Sequence, residues 1–215
     1  MIKNFVIFGD SYSTHKDHIP EGYAAYYSDE GRGPDAPVTK MKAEQTWWWR
    51  FKTRVGAELV FNNSWSGSTI GYTGYSGDCS TTSSFICRYR KLKAAGAFDE
   101  ALIDTVIVFG GTNDSWSNAP LGEEQYADWQ ESDLFNVRPA ICYFMHTLKT
   151  DLPNARIVFI ANCDIKEEVV ECIKNAGARL DVETVVLNGI EKMSGHPTSR
   201  GMEQICDQII EQLGE

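Results

Sequence analysis

The feature that most constrains this chain is the short, largely apolar run at residues 4–8 (NFVIF) and the abrupt break that follows at Gly9-Asp10-Ser11. Such a run is too short for a helix and suits a strand buried on both faces. The break leaves a hydroxyl at the strand's C-terminal end. In an open parallel sheet, ligands bind outside the carboxyl ends of the strands, so Ser11 is a candidate nucleophile. Gly-Asp-Ser is also ordinary turn chemistry, because glycine accepts unusual φ and the two polar side chains bond to nearby backbone groups.

The same pattern recurs along the chain. Residues 58–61, 104–109, 156–161 and 182–187 read as four further strands, and 104–109, apolar on both faces, as the central one. Helices are expected over 44–55, 84–95, around 134–150, 166–175 and 198–213. Gly96 and Gly177 supply stops for the second and fourth of these, and Pro139 and Pro153 bracket the third. Alternating strands and helices predict an α/β protein of three layers, α/β/α, with a central, mostly parallel five-stranded sheet and right-handed crossovers. With 215 residues, 42% of them hydrophobic, one well-buried core and a single domain over 1–215 are expected.

Residues 12–40 are the least regular and predict a long loop over the site, with Tyr23, Tyr26 and Tyr27 as either a substrate wall or surface packing. His15, four residues after Ser11, would have to double back through a tight turn to act as its base. Trp47, Trp48 and Trp49 cannot share one helix face, since successive residues turn by about 100°, so at least one faces away from the core. Residues 67–82, rich in Gly, Ser, Thr and Tyr, form a polar loop on the Ser11 edge.

A formal net charge of -10 argues against a nucleic-acid partner and leaves no basic patch for an anionic membrane. No apolar stretch approaches the roughly 20 residues of a membrane helix, and the first strand starts close to Met1, so a cytoplasmic location is expected. Cys79, Cys87, Cys142, Cys163, Cys172 and Cys206 lack metal-ligand spacing and read as buried free thiols. Four histidines without an Asp/His pair at ligand spacing make no metal site, and no cofactor is expected.

Three later breaks repeat the situation of Ser11. Residues 59–61 lead into Asn62-Asn63-Ser64-Trp65-Ser66-Gly67, residues 105–109 lead into Gly110-Gly111-Thr112-Asn113-Asp114, and Gly195-His196-Pro197 precedes the last helix. In the order Ser11, Gly67, Asn113, His196, and in the contexts FGDS, WSG, GGTND and GHP, the chain resembles the SGNH branch of the GDSL esterase/lipase superfamily. The resemblance spans residues 8–197 and implies a flavodoxin-like SGNH hydrolase fold. It also implies acyl transfer, with Ser11 as nucleophile, His196 as its base, and an oxyanion hole made by the N–H groups of Ser11 and Gly67 and the side-chain amide of Asn113. These roles suit the residue types: a glycine lets backbone approach a substrate oxygen, and a neutral imidazole with a pKa near 6.5 can take and return a proton. Asp114 is expected to hold the Asn113 turn.

One position departs from the family pattern. Its members commonly carry an aspartate three residues before the histidine, where this chain has Met193. Either Glu191 orients the ring, or a backbone carbonyl does and the pair is a Ser-His dyad. Trp65 and Trp116 flank two motif blocks and, with Tyr26 and Tyr27, offer flat faces to a sugar ring. A small-molecule or oligosaccharide ester is therefore the expected substrate, an O-acetylated carbohydrate first. A lysophospholipase or thioesterase and a catalytically lapsed sugar-binding protein of the same fold are the alternatives. The last would be indifferent to loss of Ser11.

Overall fold

The apolar runs assemble into one parallel sheet. The computed structural model describes residues 1–98 and 102–215. In chain order it contains β1 (Asn4–Gly9), the short α1 (Ala36–Thr39), α2 (Trp47–Val55), β2 (Glu58–Ser64), two-residue strands β3 (Thr73–Gly74) and β4 (Gly77–Asp78), and α3 (Phe85–Ala94). Then follow β5 (Thr105–Phe109), α4 (Thr112–Trp116), α5 (Val137–Asp151), β6 (Arg156–Ala161), α6 (Glu167–Leu180), β7 (Glu183–Val186), the small pair β8 (Lys192–Met193) and β9 (His196–Pro197), and α7 (Ser199–Leu213). The main sheet has the order β2-β1-β5-β6-β7, with every neighbouring pair parallel. The chain steps from β1 to β2 on one side, then crosses to β5 on the other. That reversal puts a crevice at the C-terminal ends of β1 and β5.

Side chains alternate between the two faces of the sheet, as the period of two requires. Val6, Phe8, Val106, Val108, Ile157 and Phe159 join a core with α3, α5 and α6; Phe5, Ile7, Ile107, Phe109, Val158 and Ile160 join another with α2 and α7. Hydroxyl caps start the flanking helices: Thr46 accepts from Trp49 N–H, Ser84 from Cys87 N–H and Thr198 from Gly201 N–H. Each cap contributes about 1 kcal/mol. Trp47 and Trp48 are buried and Trp49 is partly exposed.

Several expected boundaries move. The fourth predicted helix does not stop at Gly177: α6 runs on to Leu180, and Asp181 ends it at φ 54°. A Cβ on Gly177 would lie 2.4 Å from Thr184 Cγ2 and 2.9 Å from the Val182 carbonyl oxygen. The glycine therefore permits close approach of α6 to β7. Residues expected to open α2 and α5 instead form 3-10 turns, Ala43–Gln45 and Glu131–Phe135. The segment 12–40 carries further 3-10 turns and α1, and it is pinned by bridges pairing His15 with Tyr27 and Ser28 with Lys40. All six cysteines are free, and Cys163 is half-buried where the others are buried. No helix among the described residues is long and apolar enough to cross a membrane.

Candidate active site

Adjacent strands β2, β1 and β5 bring three of the four motif residues to one edge of the sheet. Ser11, only 3% exposed, opens a 3-10 turn directly after β1, and Asp10 caps that turn by accepting from Tyr12 N–H at 3.0 Å. Gly67 lies in the turn beyond β2, which is tied to the end of β1 by Trp65 N–H donating to the Gly9 carbonyl at 3.1 Å. Gly67 has φ +81°, a left-handed conformation that a side chain would strain, and a Cβ there would face open space. Its N–H makes no hydrogen bond among the described residues. Asn113 stands in the first turn of α4, after β5.

The loop around Gly67 and the amide of Asn113 are fixed by their neighbours. The Asp114 carboxylate accepts from Ile70 N–H at 3.0 Å and from Gly71 N–H at 3.1 Å, so it clasps the 67–71 loop. Asn113 Nδ2 donates to the Ser68 carbonyl at 2.9 Å, while Tyr75 Oη donates to Asn113 Oδ1 at 3.1 Å. A carbonyl can only accept, so the amide orientation is set and one N–H is left over. Burial pushes Asp10 up to about 7 and Asp114 up to about 6, against the backbone N–H bonds that pull both down.

His196 reaches the edge from the far side of the sheet on the β8–β9 hairpin. Its turn, Ser194 at φ 51° and Gly195 at φ 77°, has both central residues left-handed. His196 Nε2 is 3.0 Å from Ser11 Oγ, and His196 Nδ1 is 3.2 Å from the Ser194 carbonyl oxygen. Since that carbonyl accepts only, Nδ1 carries the proton of the neutral ring and the Nε2 lone pair faces the serine hydroxyl. Burial holds the imidazole below its usual pKa; the Ser194 carbonyl opposes this, and the charges of Arg32 and Lys192 add to the depression. A neutral imidazole in this geometry can accept a hydroxyl proton.

Glu191 is not at the ring. Its carboxylate accepts from Thr198 Oγ1, at the start of α7, and its N–H donates the other way to no acid but to the Gln204 side-chain oxygen. Met193, the cross-strand partner of His196, is exposed and has no charge to offer. The His196 loop is instead held by tyrosines: Tyr12 Oη donates to the Gly195 carbonyl and Tyr27 Oη to the Pro197 carbonyl, the latter at 2.8 Å. Tyr27 is fully buried, and it also bounds the cavity that opens beside Tyr26.

The other aromatic residues lie around His196 and the cavity beside it. Tyr26 stacks on His196 with ring centroids 3.6 Å apart and 7° between planes. Trp116, 37% exposed, meets the imidazole edge-on at 6.2 Å, and Trp65 pairs with Tyr23 at 4.2 Å. A cavity of about 460 Å³ opens beside Tyr26, bounded also by Tyr23, Ala25, Gly31 and Arg32. His15 lies apart, with Nε2 3.0 Å from the Met41 carbonyl oxygen and 3.3 Å from the Asp29 carboxylate. Among the described residues no group of three or more His, Cys, Asp or Glu side chains is placed to hold a metal ion.

One supporting residue has no signal in the sequence. Arg88 on α3 is 1% exposed, and its guanidinium donates to Ser83 O, to Asn63 O and Oδ1, to Ser68 Oγ at 3.1 Å and to Gly9 O at 3.3 Å. It thus joins the strand end before Ser11 to the loop that carries Gly67. Burial lowers its pKa to about 10, so it stays charged at neutral pH. On a helix with the pattern FICRYRKLKA, an inward arginine is indistinguishable from its solvated neighbour Arg90.

A doubly wound parallel sheet carrying a serine, a glycine, an asparagine and a histidine at its C-terminal edge defines the SGNH fold of hydrolases. The chain belongs to the GDSL-like lipase/acylhydrolase family, whose model matches residues 3–213. A protein from Bacteroides uniformis assigned to the GDSL-like lipases is 39% identical, with a TM-score of 0.89 over 99% of this chain and 96% of that one. A second, from Bacteroides ovatus, is 34% identical, with a TM-score of 0.88 over 100% of this chain and 99% of that one. An acetyl xylan esterase from Butyrivibrio proteoclasticus shares the fold at 16% identity, with a TM-score of 0.63 over 98% of this chain and 63% of that one. No curated protein matches the chain significantly.

Proposed function

We propose that this chain is a serine esterase that works through an acyl-enzyme, with O-acetylated carbohydrate as its substrate class. The observation that carries the reading is the 3.0 Å approach of Ser11 Oγ to His196 Nε2, in the one neutral tautomer that leaves Nε2 free to accept. As Ser11 Oγ attacks the ester carbonyl carbon, its proton passes to Nε2 and the carbonyl oxygen becomes an oxyanion. The Gly67 N–H, the spare N–H of Asn113 and the Ser11 N–H receive that charge. Collapse of the tetrahedral adduct breaks the bond to the alcohol oxygen, which takes the proton from His196. Water then repeats the sequence on the acyl-enzyme, with His196 again as base, and the carboxylic acid leaves.

The substrate class rests on the walls of the site. Trp116 and the cavity beside Tyr26 flank His196, on which the alcohol's proton transfer depends, and the Tyr23–Trp65 pair borders that cavity, so the site offers flat, partly polar faces. Flat aromatic faces with polar edges suit a sugar ring better than an alkyl chain. The more distant esterases contribute the shared fold and nothing beyond it.

The test is hydrolysis of p-nitrophenyl acetate through octanoate by the native chain beside a folded Ser11→Ala variant, followed by acetylated oligosaccharides. Activity confined to acetate and abolished in the variant supports the reading. Preference for octanoate moves the substrate to lipids. Equal behaviour of the two proteins, with sugar binding retained, identifies a catalytically lapsed binder.

A further inference from the structure

Among the described residues no carboxylate bonds His196 Nδ1, yet the reaction places a positive charge on its ring. A main-chain carbonyl supplies only a partial charge, and Glu191 is engaged with Thr198. What lies against the imidazole is the face of Tyr26, nearly parallel and 3.6 Å away between centroids. An aromatic face carries negative potential and attracts a cation held over it.

Tyr26 is also in register with the nucleophile. Tyr26 N–H donates to Thr14 Oγ1 at 2.9 Å, and Thr14 Oγ1 donates to the Ser11 carbonyl at 3.0 Å. One hydroxyl therefore fixes the backbone of the stacked ring relative to that of Ser11. The Arg32 guanidinium also lies over the Tyr26 ring, 5.3 Å from its centroid. The next residue, Tyr27, binds the Pro197 carbonyl and so anchors the same segment to the His196 loop.

We propose that Tyr26 is the positioning residue for His196, its ring face holding the imidazole plane and stabilising the imidazolium in place of a triad carboxylate. This rests on the reading of Ser11 and His196 as nucleophile and base. Tyr26 exchanges no proton. In the transition state the proton moves from Ser11 Oγ to His196 Nε2, the ring gains a full charge, and attraction to the Tyr26 face grows with it. The interaction is stronger in the transition state than in the ground state, so it acts on kcat. The phenol hydroxyl takes no part in this. Burial holds the resting ring below its usual pKa, and the charge of Arg32 adds to that depression.

The test replaces Tyr26 with Phe, with phenylalanines bearing one and three ring fluorines, and with Leu. Steady-state kinetics on p-nitrophenyl acetate are compared with the native chain and with Ser11→Ala, after circular dichroism has shown each to be folded. Fluorination leaves the ring's shape and drains its face of negative potential. Phe is expected within about threefold of Tyr in kcat, the trifluoro ring roughly tenfold lower at unchanged KM, and Leu at least as low. A flat kcat across the fluorinated series, or Leu equal to Phe, overturns the proposal while Ser11→Ala remains inactive. An active Ser11→Ala protein overturns the parent reading and this one with it, so the two failures are distinguishable.

Discussion

Replacing Arg88 with methionine removes a buried charge while keeping most of the side chain's apolar stem. In the native protein the guanidinium reaches acceptors on three segments: Ser83 O at 2.9 Å, Asn63 Oδ1 at 2.8 Å, Ser68 Oγ at 3.1 Å and Gly9 O at 3.3 Å, with Asn63 O besides. It also lies 4.6 Å over the Phe85 ring. A hydrogen bond to a charged group contributes about 1.5–3 kcal/mol, and acceptors left buried without a donor lose that and their hydration as well. Relief from burying the guanidinium offsets part of the loss, so the net destabilisation is about 3–5 kcal/mol, the range for breaking a buried charged cluster. For a chain of this length that lowers Tm by roughly 6–20 °C. Thermal unfolding followed by circular dichroism measures it. The same variant should lose esterase activity at temperatures where it remains folded, because Gly9 precedes Ser11 and Ser68 follows Gly67. Arg88→Lys, with the charge but not the fork of donors, should fall between the two. A Tm within about 2 °C of native, with native kcat, would refute the reasoning.

Three further outcomes follow from the geometry. Asn113→Ala should lower kcat on p-nitrophenyl acetate by about 10²–10³, as for loss of one oxyanion donor, and lower Tm by a few degrees because the Ser68 carbonyl loses its partner. Glu191→Gln should leave kcat within about twofold of native; a hundredfold drop in steady-state assays would return that carboxylate to the His196 ring. Because burial holds His196 below 6.5, the acid limb of kcat/KM should fall below pH 6.5. Arg32→Gln removes a charge that depresses the ring, so it should move that limb upward. A pH profile unchanged by this substitution, or moved downward, counts against the electrostatic account.

Much of the fold was legible because burial on both faces leaves a simple mark. Each central strand is a continuous apolar run, and each run ends at a polar or glycine break that topology collects at one edge. Boundaries were less legible where one residue type serves two ends. Gly177 has the composition of a helix stop, yet it is a packing glycine whose hydrogen keeps α6 clear of Thr184. Tyr26 and Tyr27 are neighbours of the same kind, yet one stacks on His196 and the other is buried beneath it.

The sequence by itself determined the class of sheet, from short-range apolar pattern, and pointed to the four residues at its edge through the resemblance that their motifs carry. Only the tertiary structure decided what holds them. The Tyr26 face on the imidazole, the Tyr75 bond to Asn113 and the buried Arg88 join segments far apart in the chain, and the Ser194 carbonyl, only two residues from His196, meets the ring in place of Glu191 through the local turn of the β8–β9 hairpin. Such contacts depend on distance and direction in the folded molecule. A linear pattern records which groups are present and not which of several equivalent partners each will meet.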